Sequence, residues 1–371
     1  MVIAVVAAYV VLSGSGDSED KPSEGITIVD GSGKTITIKE PIVTCTVVNT
    51  NIPKAMKVMG LVDNVENFLS YKESNRQSNY EEMIGLGFTK IDKDAPLASN
   101  LTNAEYFITK NVKYIIEPVS SNKLTATAEA ACENAGIVII KLDCFGDTMV
   151  EDMDKLLKLF GSPKKATTAY NNYLEVRNEV ISNVVSKASI KESDLFLFYF
   201  NGLKAFYNQT AELSKTFENI WGHNAIGLVV DSPSGVTNKA NEEGIKEALV
   251  KLDAEKSIDI LVIRSSSGDQ ADKLVSNWNS GPIADYDLSY IHGKDSKVYC
   301  IDSDLLSGTI DYIAYVALAE IAGIDTGYSV SDLVDGFYDK YGFKPITDVY
   351  IWHYEFDDAG KLSKVVPADI E

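Results

Sequence analysis

Residues 163–187 (PKKATTAYNNYLEVRNEVISNVVSK) constrain the fold more than any other stretch of this chain. Ser162-Pro163 opens a helix, and Ala166, Ala169, Tyr173, Val176, Val180, Ile181 and Val184 recur at helical spacing. At about 1.5 Å per residue the stretch makes a rod of roughly 37 Å, long enough to bridge two lobes. Short apolar strands alternate with amphipathic helices on either side of it. Before the rod, ITIVDGSGKTITI reads as a hairpin around Gly31-Ser32-Gly33. Strands follow at Val43–Asn49, Val65–Leu69, Tyr114–Glu117 and Ile137–Asp143, with helices near 52–60, 103–110, 124–135 and 147–160. Asn51 is read as the cap of the first helix, which begins at Ile52-Pro53 and stops at Gly60. After the rod come strands at 195–200, 259–264 and 298–302, and helices at 211–221, 242–252, 268–278, 310–322 and 330–341. Such alternation predicts parallel sheets covered on both faces. The expected fold class is therefore α/β: two doubly wound lobes joined by a single long connecting helix, with a ligand cleft between them.

The expected divisions follow. Residues 1–24 are a signal or anchor remnant and polar linker, 25–146 an N-terminal lobe, and 147–187 a helical connection. A C-terminal lobe spans 188–345, and 346–371 form a hairpin and tail around Asp358-Ala359-Gly360. Val2–Leu12 is an unbroken apolar run, shorter than the roughly 20 residues of a membrane-spanning helix and suited to the heart of a secretory signal. Ser15 stands where a lipoprotein signal would carry Cys. The chain is expected at the outer face of the cytoplasmic membrane, in a periplasm or at the cell surface.

Net charge decides among partners. With 34 Lys+Arg against 54 Asp+Glu the chain carries −20, which argues against nucleic acid and against docking on anionic lipid. Cys45, Cys132, Cys144 and Cys300 show no paired metal-ligand spacing. Cys45 and Cys300 read as core residues of strands, while a Cys132–Cys144 disulfide stays open. The three histidines, His223, His292 and His353, lie in the second half without a zinc-binding motif, so no metal ligands are assigned. No nucleophile elbow, P-loop or dinucleotide glycine fingerprint appears, and no catalytic residue or cofactor is expected.

In open α/β sheets ligands sit beyond the carboxyl ends of the strands. That rule selects the loops at 49–51, 70–78, 96–102, 199–208, 264–268 and 303–308. Their polar and aromatic residues are the candidate ligand contacts: Asn49, Asn51, Tyr71, Arg76, Ser99, Tyr199, Phe200, Asn201, Tyr207, Arg264 and Ser265, with Trp278 at the end of a nearby helix. A guanidinium suits carboxylate or phosphate, and aromatic faces grip a large flat ligand. For each, a structural role stays open: Arg264 and Arg76 as partners of a local carboxylate, the aromatics as corner packing. Arg177, inside the rod, is read as a solvated face residue.

The ordered segments VTCTVVNTNIPKAMKVMGLVDNV, NAEYFITKNVKYIIEP, KTFENIWGHNAIGL, SIDILVI and KVYCIDSDLLSG resemble those of the solute-binding proteins of ATP-driven importers for metal chelates. The resemblance runs from about Ile26 to Tyr341. It implies a non-enzymatic, monomeric protein that captures a ferric siderophore, haem or corrinoid and delivers it to permease subunits. It implies a cleft role for Asp304, and permease docking for Glu105 and a second-lobe partner, taken as Glu247 with Glu243 and Glu255 as alternatives. A surface-anchored sensor or adhesion module with the same fold is the rival reading.

Overall fold

The computed structural model describes residues 25–119, 121–188, 195–199, 205–207, 216–220, 222–224, 236–238, 260–265, 297–302, 305–306, 308–343, 350–356 and 362–367. The apolar run at 2–12, Ser15, the helices expected at 242–252 and 268–278, and most of that at 211–221 lie outside the described residues.

An antiparallel hairpin, β1 (Ile26–Val29) and β2 (Thr35–Ile38), comes first. Its turn is held by Asp30 Oδ1, which accepts from Ser32 N at 2.9 Å and Lys34 N at 3.0 Å. Four parallel strands follow: β3 (Cys45–Val48), β4 (Val65–Leu69), β5 (Tyr114–Glu117) and β6 (Val138–Lys141), in the order β4-β3-β5-β6. Their connections carry α1 (Asn51–Val58), α2 (Arg76–Gly85), α3 (Glu105–Thr109) and α4 (Ala126–Asn134), and α5 (Met149–Leu159) follows β6. Residues alternate between two apolar clusters as the pleat requires. Val47, Ile116 and Ile140 join α1 and α5 on one face, while Val48, Ile115 and Ile139 join α3 and α4 on the other. Both faces are covered, as a parallel sheet demands.

Two local expectations are corrected. α1 begins at Asn51 with Thr50 in the cap position and no side-chain cap, so Asn51 is not the cap residue. Residues 76–78, the end of the loop expected at 70–78, open a helix that runs to Gly85; only Met83 of α2 is buried, so no apolar stripe marks it in the sequence.

α6 (Lys164–Lys187) is the expected rod, 24 residues long. It packs on α1, α5 and α7 (Asp311–Ile321). Tyr173 meets Tyr312 edge-on with ring centres 6.4 Å apart. Arg177 is not a solvated face residue: its Nε and Nη2 donate to the Asp311 carboxylate at 3.1 and 2.7 Å. The partner lies on α7, far away in sequence, and so leaves no mark on the local pattern. Near the C-terminal end of the rod Asn183 Nδ2 and Lys187 Nζ donate to Thr326 O at 2.9 and 2.7 Å.

The second sheet is mixed. Its strands are β7 (Leu195–Tyr199), β8 (Ala205–Tyr207), β9 (His223–Asn224), β10 (Val236–Asn238), β11 (Ile260–Ser265), β12 (Lys297–Asp302), β13 (Ile351–Phe356) and β14 (Leu362–Pro367). The order is β10-β8-β7-β11-β12-β13-β14, with β9 also on β7. β7, β11 and β12 run parallel, whereas β8 folds back on β7 and β13 on β12. Five residues separate β7 from β8, enough for a hairpin and too few for a parallel crossover. The expected terminal hairpin is thus one edge of this sheet.

α8 (Val330–Tyr341) is capped by Ser329, whose Oγ accepts from Asp332 N at 3.2 Å, and closes on Gly342 at φ +69. One buried cluster unites Ile52 and Met56 of α1, Tyr173 and Val180 of α6, Ile313 and Val316 of α7, and Phe337 of α8. The lobes therefore share apolar packing along the rod. All four cysteines are buried and none forms a disulfide. Cys132 sits in the smaller cluster and Cys144 in the larger, so the disulfide left open by the sequence is not formed. No helix among the described residues is long and apolar enough to cross a membrane.

Candidate functional site

The carboxyl edge of the first sheet is built by three segments. β3 leaves through Asn49, held at φ +78 in the left-handed region that asparagine tolerates better than most residues. Its Oδ1 accepts from Asn51 N at 2.9 Å, turning the strand into α1. The adjacent strand β4, whose Leu69 is in register with Val48, leaves through Ser70 and Tyr71. The third segment, residues 98–100, is pinned to the second: Ala98 N donates to Ser70 O at 3.0 Å, and Ser99 Oγ to Tyr71 O at 2.7 Å. Asn79 Nδ2 of α2 adds a bond to Ser70 Oγ at 3.1 Å. Asn49, Asn51, Tyr71 and Ser99 thus share one edge. Tyr71 is half-buried against the smaller core cluster, and Lys72 Nζ stands 5.9 Å from its ring centre.

The C-terminal lobe meets this edge at Gly308. A β-carbon placed there would lie 4.0 Å from Asn51 Oδ1, and Gly308 itself holds φ +68. Two of the loops chosen from the sequence, 49–51 and 303–308, are therefore neighbours across the lobes.

Other candidates divide. Arg76 is the first residue of α2, not a loop residue, and its Nε lies 3.2 Å from Glu73 Oε2. This is the local carboxylate pairing left open by the sequence; Glu73 is exposed, so the pair contributes little. In the second sheet Tyr199 closes β7 and pairs in register with Ile263, while Arg264 and Ser265 close β11. All three occupy the carboxyl edge of their sheet. Tyr207 is not in a loop: it belongs to β8 and pairs with Val236 of β10. Phe200, Asn201, Trp278, Asp304 and Glu247 lie outside the described residues. Glu105 is exposed in the first turn of α3, its N–H bonded to Asn103 Oδ1 at 3.0 Å, and Ile108 one turn on is exposed as well.

A charged group that the sequence reading passed over lies at the same edge. Glu117, last residue of β5, is fully buried. Burial pushes its carboxyl up to about 7, against the opposing pull of its hydrogen bond from Leu124 N and of Lys141 and Lys123. Both lysines bind Glu129 of α4, at 2.7 and 2.8 Å. An ionisable residue closing the apolar run YIIE was the available signal; read only as the end of a strand, it went unassigned. Among the described residues no group of three or more His, Cys, Asp or Glu is placed to hold a metal ion.

No family model matches the chain, and no curated protein matches it. Solved structures do. A TroA-like periplasmic binding protein, FepB from Veillonella parvula, superposes with a TM-score of 0.61 at 17% identity, over 88% of this chain and 99% of that one. The Haemophilus influenzae MolA, a periplasmic binding protein bound to molybdate and cognate to an ABC transporter, gives 0.58 at 11% identity, over 86% and 99%. A protein of an ABC-type Fe3+-hydroxamate transport system from Saccharomonospora viridis gives 0.51 at 14%, over 81% and 99%. The paired sheets, the bridging helix and these superpositions agree: the chain has the fold of the TroA-like periplasmic binding proteins.

Proposed function

We propose that this protein is the extracytoplasmic solute-binding component of an ABC importer, capturing a metal chelate between its lobes and delivering it to a membrane permease. The observation that carries the reading is the meeting of α1 and the Gly308 segment at the carboxyl edge of the first sheet, where this architecture seats a ligand. The transport systems named for MolA and for the Fe3+-hydroxamate protein support an importer partner and a metal-bearing ligand. A ferric siderophore fits best, with haem and corrinoid as alternatives: Tyr71, Lys72 and Ser99 offer an aromatic, a cationic and a hydroxyl group on one lip. Tyr199, Arg264 and Ser265 are assigned the opposite wall, with Phe200, Asn201, Trp278 and Asp304 completing it. Glu105 and Glu247 are assigned to permease docking, and the protein acts as a monomer without enzymatic chemistry.

A thermal-shift panel of ferric siderophores, haemin, cobalamin and molybdate tests the reading. A ligand at a hundredfold excess over its Kd stabilises the fold by about 2.7 kcal/mol, a readily measured rise in Tm. No rise with any of them would overturn the ligand class. Reversing the charge at Glu105 and Glu247 should abolish uptake while leaving ligand binding intact; uptake unchanged would favour a sensor or adhesion module instead.

A further inference from the structure

Glu117 is bonded on one side only. Its Oε2 accepts from Leu124 N at 2.9 Å, in the lead-in to α4. Its Oε1 is buried and has no hydrogen-bond partner. Lys141 Nζ stands 3.9 Å from that oxygen, about 1 Å beyond the length of a charge-assisted hydrogen bond. The titratable groups facing Glu117 are Glu129 and Cys132 on α4, Lys141 on β6 and Lys123 in the lead-in. Both ammonium groups are drawn to Glu129 instead. An ionised Glu117 would balance the two lysines in charge, but with both already held by Glu129 it would leave Oε1 charged, buried and without a hydrogen bond.

We infer that Glu117 is a proton-controlled latch on the lead-in to α4. Neutral, it accepts from the Leu124 amide with no charge to bury, and α4 and residues 121–125 stay closed onto the sheet. Ionised, its free oxygen is a buried charge with no hydrogen bond and Lys141 3.9 Å away, and the lead-in loosens to let water reach it. The latch connects to the candidate site by hydrogen bonds already in place. Thr125 Oγ1 donates to Leu101 O at 2.6 Å, and residues 98–99 of the same segment hold Ser70 and Tyr71. Acidity near 7 puts the change within reach of ordinary conditions. The inference concerns the ligand-free protein and stands whatever the ligand is.

Hydrogen–deuterium exchange of residues 121–125, corrected for intrinsic rates, tests it. In the unliganded wild-type protein, protection should fall roughly tenfold between pH 6 and pH 8, because the closed lead-in keeps the Glu117 proton up to about 7 whereas the opened one releases it in the ordinary carboxylate range. Glu117→Gln should abolish the fall. Lys141→Met, which leaves the carboxyl without its nearest cation, should move the midpoint to higher pH. Wild-type protection that is flat across this range would overturn the latch. So would a rise in wild-type protection, a fall that survives in Glu117→Gln, or a midpoint unmoved by Lys141→Met; the two variants decide independently should either fail to fold.

Discussion

Glu320 sits in the last turn of α7 with both carboxylate oxygens buried and without a hydrogen-bond partner. Burial, with Asp325 nearby, pushes its carboxyl up to about 8. The native state therefore holds a proton that the unfolded chain has released once the pH exceeds the ordinary glutamate range. Stability from this site is complete below about pH 4.5 and is lost as the pH climbs through 8. Glu320→Gln should accordingly melt above the wild type at pH 8.5 and beside it at pH 5. A Tm gap independent of pH would mean the carboxyl is not neutral in the fold. At this scale the sequence was a partial guide. Tyr71 and Ser99 could be placed on one edge because strand ends are legible and a general rule says where ligands sit. Arg76 was expected in a loop and Arg177 on a solvated face because their environments depend on neighbours: an unmarked helix for the first, a distant carboxylate for the second.

Among elements, the junction of α6 with α7 has the most to show. The Arg177–Asp311 pair is mostly buried and two-pronged, so removing one partner strands the other's charge. Asp311→Ala should cost about 3 kcal/mol in denaturant unfolding, and pairing Asp311→Leu with Arg177→Met should recover most of it. A loss under about 1 kcal/mol would place the pair among surface salt bridges. Elements with an apolar stripe or a clean apolar run, such as β4, β5, α6 and α8, were readable nearly to the residue. α2 was not, since one buried methionine makes no periodicity, and β8, β9 and β10 were missed because strands of two or three residues carry no repeat.

For the whole molecule, the apolar cluster that runs from α1 through α6 to α7 and α8 limits how far the lobes can turn. A compact chain of this length has a radius of gyration of about 21 Å. Saturating ligand should change it by less than about 1 Å in solution scattering. A larger contraction would show that the rod bends. The overall plan was legible because one long amphipathic helix between two runs of α/β alternation admits few arrangements.

The β13–β14 hairpin carries a consequence for biogenesis. β12 pairs with β11 on one side and with β13 on the other through Tyr299–His353, Cys300–Trp352 and Ile301–Ile351. Until the ribosome has delivered residues 351–356, that second side is a row of unmatched amides and carbonyls, a template for any passing strand. The N-terminal sheet has all its strands long before then, whereas the other half waits on late-made residues.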